Sequence, residues 1–181
     1  MKNASGTHQT IVDFVTGKKV PNVGVEEHRQ LVERFLVEEK GYQKEDIEVD
    51  AEIAFTIGEE RFCSEVDLVV QVNGTRFMVI KLAPGSLESR HRETLAAARL
   101  LDTYQIPISV ITNGKDAEIL DSVTGTLLDQ GMAAIPAKQD AIARLSDMAL
   151  EPYPEAKLER EKIIFRSYDQ MNVNVQRNLR P

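Results

Sequence analysis

The sequence predicts an α/β sandwich, a mixed β-sheet flanked by helices, and three observations carry that prediction. Residues 25–40 place Val25, Leu31, Val32, Phe35 and Leu36 at helical spacing. Residues 47–57 alternate Ile47, Val49, Ala51, Ile53, Phe55 and Ile57 with Glu48, Asp50 and Glu52, the period of a strand with one acidic, wet face. Two further β-rich runs meet at Asn73-Gly74, the strongest short-range hairpin signal a sequence offers. With the helical segment that follows, the order is helix, three strands, helix, strand, which is a mixed sheet and not a pure doubly wound one.

In chain order, residues 1–24 read as an N-terminal arm, a strand-turn-strand around Asp13 to Gly17 followed by a loop with Pro21 and Gly24. Asp121 to Gly125 echoes the same letters, which shared turn chemistry explains more cheaply than a repeat. The first long helix ends at Gly41, and Gly58-Glu59-Glu60 turns the chain between strands. Ala83-Pro84-Gly85-Ser86 breaks the hairpin's second arm, and residues 87–104, rich in Ala and Leu, form a helix. Residues 106–112 and 117–121 are short strands around Asn113-Gly114, and 136–150 and 155–168 are helices. The chain divides into the arm, a core domain over 25–150, and a C-terminal helix and tail over 151–181, with the polar stretch from Asp169 disordered or lying on a partner.

Composition bounds the function. The chain has 181 residues, 42% hydrophobic and 28% charged, which suits one globular domain. No run of ~18 apolar residues and no secretory leader pattern appears, so no membrane association is expected and a cytoplasmic location follows. Cys63 is alone, which excludes a disulfide framework, and its strand position reads as a buried, inert thiol. His8, His28 and His91 lack ligand spacing, and no phosphate-binding glycine loop is present. The net charge of −7 requires any nucleic-acid surface to concentrate its positive charge locally. With 6% aromatics, no Trp and no aromatic-basic interleaving, there is no signature of single-strand binding.

The hairpin carries the chemistry. Asp67 and Lys81 stand on its two arms, and a carboxylate beside a lysine suits a divalent cation and a phosphate once a second acid joins them. Register decides the facing. A two-residue turn at Asn73-Gly74 pairs Val72 with Thr75, sets Asp67 opposite Ile80 and turns Lys81 to the other face. A three-residue loop pairs Gln71 with Thr75, gives Lys81 the face of Asp67 and puts Val79 in the acid position. Glu65, on the face of Asp67 in either case, is the nearest substitute carboxylate. Arg90, His91 and Arg92 open the next helix, where the dipole favours anions, so these cations suit a phosphate or a carboxylate partner; pairing with Glu88 and Glu93 is the simpler alternative.

The segments VEEHRQLVERFLVEEKGY, EVDLVV, RFMVIKLAPGSL and PISVITNGKDAEILD resemble the N-terminal domain of type I restriction enzyme R subunits, over about residues 25–128. The resemblance implies a restriction-endonuclease-like fold: a mixed sheet core flanked by helices, here with an N-terminal β-arm and C-terminal helices. In that superfamily an Asp on one strand and an acid-x-Lys triplet on the next hold magnesium. The resemblance implies Asp67 as a metal ligand, Glu26 or Glu27 as a helix glutamate that assists, and Lys81 as the stabilising lysine. It places the triplet's step at Ile80, Lys81 and Leu82, so the motif is degenerate where acids belong. Two functions follow. One is a module that keeps the fold without chemistry and binds DNA or a restriction-type protein partner, with no cofactor, through the helix start at Arg90, His91 and Arg92. The other is a magnesium-dependent nuclease with Glu65 and Asp67 as metal ligands, Glu26 as auxiliary acid and Lys81 as stabiliser.

Overall fold

The computed structural model describes residues 9–178 and, in the last helix, side chains as far as Met171. The arm forms a two-stranded sheet of β1 (Thr10–Val12) and β2 (Lys19–Pro21) around the Asp13 to Gly17 turn. His8 lies outside the described residues. Helix α1 (Glu26–Glu38) opens with Glu26 and Glu27, whose charge suits the helix N-terminus, and buries Val32 and Leu36, an i,i+4 pair, against the sheet. Gly41, at φ +77°, turns the chain out of this helix region.

The main sheet has six strands in sequence order: β3 (Ile47–Ile57), β4 (Glu60–Val72), β5 (Thr75–Leu82), β6 (Ile108–Thr112), β7 (Ala117–Asp121) and β8 (Leu127–Gln130). Every neighbouring pair is antiparallel except β5 and β6, which run parallel and therefore need a crossover. Helix α2 (His91–Leu100) supplies it. Helices α3 (Lys138–Asp147) and α4 (Glu155–Asn178) complete the chain. The α/β architecture, with N-terminal strands and C-terminal helices, fits a restriction-endonuclease-like core.

Each face of the sheet buries its own core. On one, Val32 and Leu36 of α1 meet Leu68, Val70, Met78 and Ile80. On the other, Ala96 and Ala97 of α2 and Phe165 of α4 meet Val69, Val79 and Ile106. Strand β3 serves both: Ile47 and Val49 belong to the first core, Ala51 and Ile53 to the second. Asp50, between them, has φ +52°, a left-handed conformation that interrupts the pleat and lets the strand change face.

Three expectations are corrected. Cys63 is exposed, because it pairs with exposed Ala54 on the face of the hairpin opposite α4. The stretch from Asp169 is not a loose tail: α4 continues to Asn178, and Asp169 Oδ1 accepts a hydrogen bond from Ser64 Oγ at 2.5 Å. Residues 179–181 lie outside the description. The helix after β5 is shorter than residues 87–104, since a 3₁₀ turn at Glu88–Arg90 precedes α2 and the chain leaves the helix after Leu100.

Candidate functional site

The β4–β5 hairpin combines the two anticipated geometries. Val72 pairs with Thr75 across a two-residue turn, with Asn73 at φ +52° and Gly74 at φ +76°. Left-handed dihedrals at both positions are what the Asn-Gly pair accommodates. Gln71 then pairs with Arg76 but Val70 pairs with Met78, so Phe77 is an extra residue, a β-bulge. The bulge lets consecutive Phe77 and Met78 both enter the first core, and it reverses the facing of everything beyond it. Leu68 pairs with Ile80, so Asp67 falls opposite Lys81. The two-residue turn is right, yet its predicted consequence, Asp67 opposite Ile80, is not.

Lys81 lies between two carboxylates. Its Nζ is 3.2 Å from Asp67 Oδ2 and 3.4 Å from Glu93 Oε1 of α2. Burial disfavours the ammonium, but the Asp67 and Glu93 charges outweigh it and hold Lys81 above its ordinary range. Asp67 Oδ2 also accepts the Leu82 N–H at 2.7 Å. Glu93, only 3% exposed, takes a second cation through Oε2, 3.1 Å from Arg90 Nη1. Val79, two residues before Lys81 and fully buried, fills the space beneath α2 with Ala97 and Phe165.

The other anticipated residues are more dispersed. Glu65 borders the same recess as Val79, Lys81, Glu93 and Phe165. Loss of solvent around its carboxyl, and then the Asp50 and Glu52 charges, raise Glu65 above the ordinary carboxylate range. Glu26 is engaged elsewhere, 2.7 Å from Arg29 Nη2 and 2.8 Å from Gln30 Nε2. Glu27 accepts from Asn22 Nδ2 at 2.8 Å. At the start of α2, Arg90 reaches Glu93, and His91 Nε2 lies 2.5 Å from Glu118 Oε2 of β7, leaving Arg92 as the exposed member of the trio. Arg76, near the turn of the same hairpin, pairs with Glu48 at 2.7 Å. Among the described residues, no three His, Cys, Asp or Glu converge to hold a metal ion.

Two participants have roles that the sequence does not disclose. Glu93 pairs with Arg90, as the reading of the helix start allows, but it is also buried against Lys81. Asp50 looked like one acid of a solvated row. By the register on either side, Val49 with Leu68 and Ala51 with Val66, it stands opposite Asp67, and its Oδ1 lies 2.6 Å from Arg29 Nη1. A positive φ in mid-strand is the structural mark of Asp50, and Asp is among the few side chains that tolerate it.

A mixed six-stranded sheet with helices on both faces fits an α/β domain of the restriction-endonuclease-like class. The family model for the type I restriction enzyme R protein N terminus (HSDR_N) matches residues 25–136, more than half of the chain. The chain belongs to that family. No curated protein and no solved structure matches it. The arm, α3 and α4 lie outside the matched span. Among the described residues, no helix is long and apolar enough to cross a membrane.

Proposed function

We propose that this chain is an R-subunit-type domain that binds DNA or a restriction-complex partner without cutting nucleic acid, its nuclease centre replaced by an internal ion pair. The observation that carries this reading is the setting of Lys81. It neutralises Asp67 and Glu93, while the position two residues earlier holds a fully buried valine. Magnesium needs several oxygen ligands in near-octahedral geometry. Asp67 Oδ2 is already shared between the Lys81 ammonium and the Leu82 N–H, and a cation there would also meet the charge of Lys81. The donor set therefore fits magnesium poorly. The family favours DNA or a restriction-complex protein as partner.

The test pairs cleavage with binding. Purified protein with magnesium or manganese is expected to leave single- and double-stranded DNA intact, and calorimetry to register no manganese binding that Asp67→Asn removes. Anisotropy with labelled DNA then separates the two partners, since a nucleic-acid contact weakens steeply with salt. Metal-dependent cleavage lost in Asp67→Ala would overturn the proposal in favour of a rearranged nuclease using Glu65, Asp67 and Lys81.

A further inference from the structure

The N-terminal arm is fastened to α1 largely by polar contacts. The Phe14 N–H donates to Gln30 Oε1 at 2.7 Å, the Val15 N–H to Glu33 Oε2 at 3.2 Å, and Gln30 Nε2 to Asp13 Oδ2 at 3.1 Å. Two carboxyl groups are almost sealed from water here, Glu33 at 0% and Asp13 at 1% exposure. Glu33 Oε1 is buried without a hydrogen-bond partner. The cation facing both is Arg29, 3.9 Å from Glu33 Oε1 and 3.8 Å from Asp13 Oδ2. Its guanidinium makes its short contacts to Glu26 at 2.7 Å and to Asp50 of β3 at 2.6 Å instead.

Four carboxyl groups thus surround one guanidinium, and the most buried pair receives the least of it. Keeping both of that pair ionised would combine desolvation with like-charge repulsion. Asp13 is the one fixed as the anion. Burial opposes this, but the Thr16 N–H and hydroxyl, each 2.7 Å from Oδ1, together with Gln30 and Arg29, hold it below the ordinary carboxylate range. Glu33 is driven the other way, by burial first and then by the Asp13 charge, to about 8.

We propose that Glu33 is a proton-operated clasp for the N-terminal arm. Protonated, Glu33 donates its Oε1 hydrogen to the Asp13 carboxylate and the arm lies closed on α1. Ionised, it has released that proton to water, the two carboxylates repel, and the arm lifts. Arg29 links the clasp to Asp50, and so to the strand position opposite Asp67. A folded-state value above the ordinary 4.5 means that the closed arm binds the extra proton. The contribution of Glu33 to closure is therefore full below about 4.5, weakens as pH rises towards about 8, and is level beyond, while that of Asp13, held low, is lost only as pH falls below the ordinary carboxylate range.

Carboxyl-carbon NMR of Glu33, with amide exchange at Val15 corrected for intrinsic rate, tests this on the full chain. Glu33 is expected to titrate near neutral or mildly alkaline pH, and Val15 protection to fall roughly tenfold or more between about pH 5 and about pH 8. Glu33→Gln keeps an acceptor for Val15 and a donor for Asp13, so its protection should be flat. Titration of Glu33 in the ordinary glutamate range would overturn the clasp. So would wild-type protection no more pH-dependent than that of Glu33→Gln. If the variant does not fold, the wild-type titration decides alone.

Discussion

Asp50 and Asp67 stand opposite each other at the position where the β3–β4 ladder changes face. The pairs on either side, Val49 with Leu68 and Ala51 with Val66, are regular, and the residue between them on β3 is left-handed. Two carboxylates at directly opposed positions repel. Here each has its own cation: Arg29 at 2.6 Å for Asp50, and Lys81 at 3.2 Å for Asp67. The junction is held by two ion pairs, one from α1 and one from β5, and its backbone by one residue type that accepts positive φ.

Asp50→Asn should therefore be mild, costing about 1 kcal/mol or less, because Asn accepts the left-handed region and Arg29 retains Glu26. Asp50→Val should cost about 2–3 kcal/mol, since a β-branched side chain is strained there and the ion pair is lost. Urea denaturation of both variants measures the difference, and equal midpoints would contradict a backbone origin.

Val79→Glu puts an acid two residues before Lys81, on the strand that faces Asp67. Because Val79 is fully buried against Ala97 and Phe165, the new carboxylate should cost about 3 kcal/mol or more and gain no metal affinity. Thermal melts with and without manganese report both. A manganese-dependent rise in Tm would show that the site lacks only this acid.

Lys81→Met leaves Asp67 and Glu93 facing each other without their shared cation. A loss of about 3 kcal/mol is expected, with part of it recovered on adding Glu93→Leu, because removing both partners costs less than stranding one. A double-mutant cycle on chemical denaturation measures the recovery. Additive losses would mean that the two residues do not act as a pair.

Phe165→Ala probes how far α4 is part of the folding unit. Its ring meets Phe55 at 6.2 Å and Phe62 at 6.3 Å, edge to face, and is 3% exposed. Truncation should cost about 3–5 kcal/mol in a single unfolding transition. A wild-type-like midpoint would make α4 an appendage.

The sequence disclosed the elements better than their facing. Residues 117–121 and the Asn73-Gly74 turn are read correctly because local chemistry decides them: Asn and Gly accept positive φ, and a run bounded by turn signals has little freedom. The bulge at Phe77 was hidden because Phe77 to Ile80 are all apolar, so alternation carries no phase there. The burial of Glu93 was hidden for a related reason. Seven consecutive residues of α2, from Glu93 to Arg99, are buried, and the lysine that makes burial of the acid tolerable comes from a different element. Strand β8 went unread because Leu127 and Leu128 are adjacent and both exposed, the opposite of an amphipathic pattern. Asp50 looked like one more polar step in an unbroken period of two, since a change of face leaves the alternation of letters intact.

Phe77 gives the hairpin a second reading frame. Pairing Phe77 into the ladder, with Val70 opposite it, would bring Asp67 opposite Ile80 without altering a single letter of either motif, whereas deleting Phe77 would leave Asp67 opposite Lys81. Motif spacing along such a strand is a claim about the chain, whereas convergence of side chains is a claim about the ladder, and one inserted residue separates the two. Relatives that share every site letter and the same length between Gly74 and Lys81 but lack the bulge would present a different chemistry at the same address.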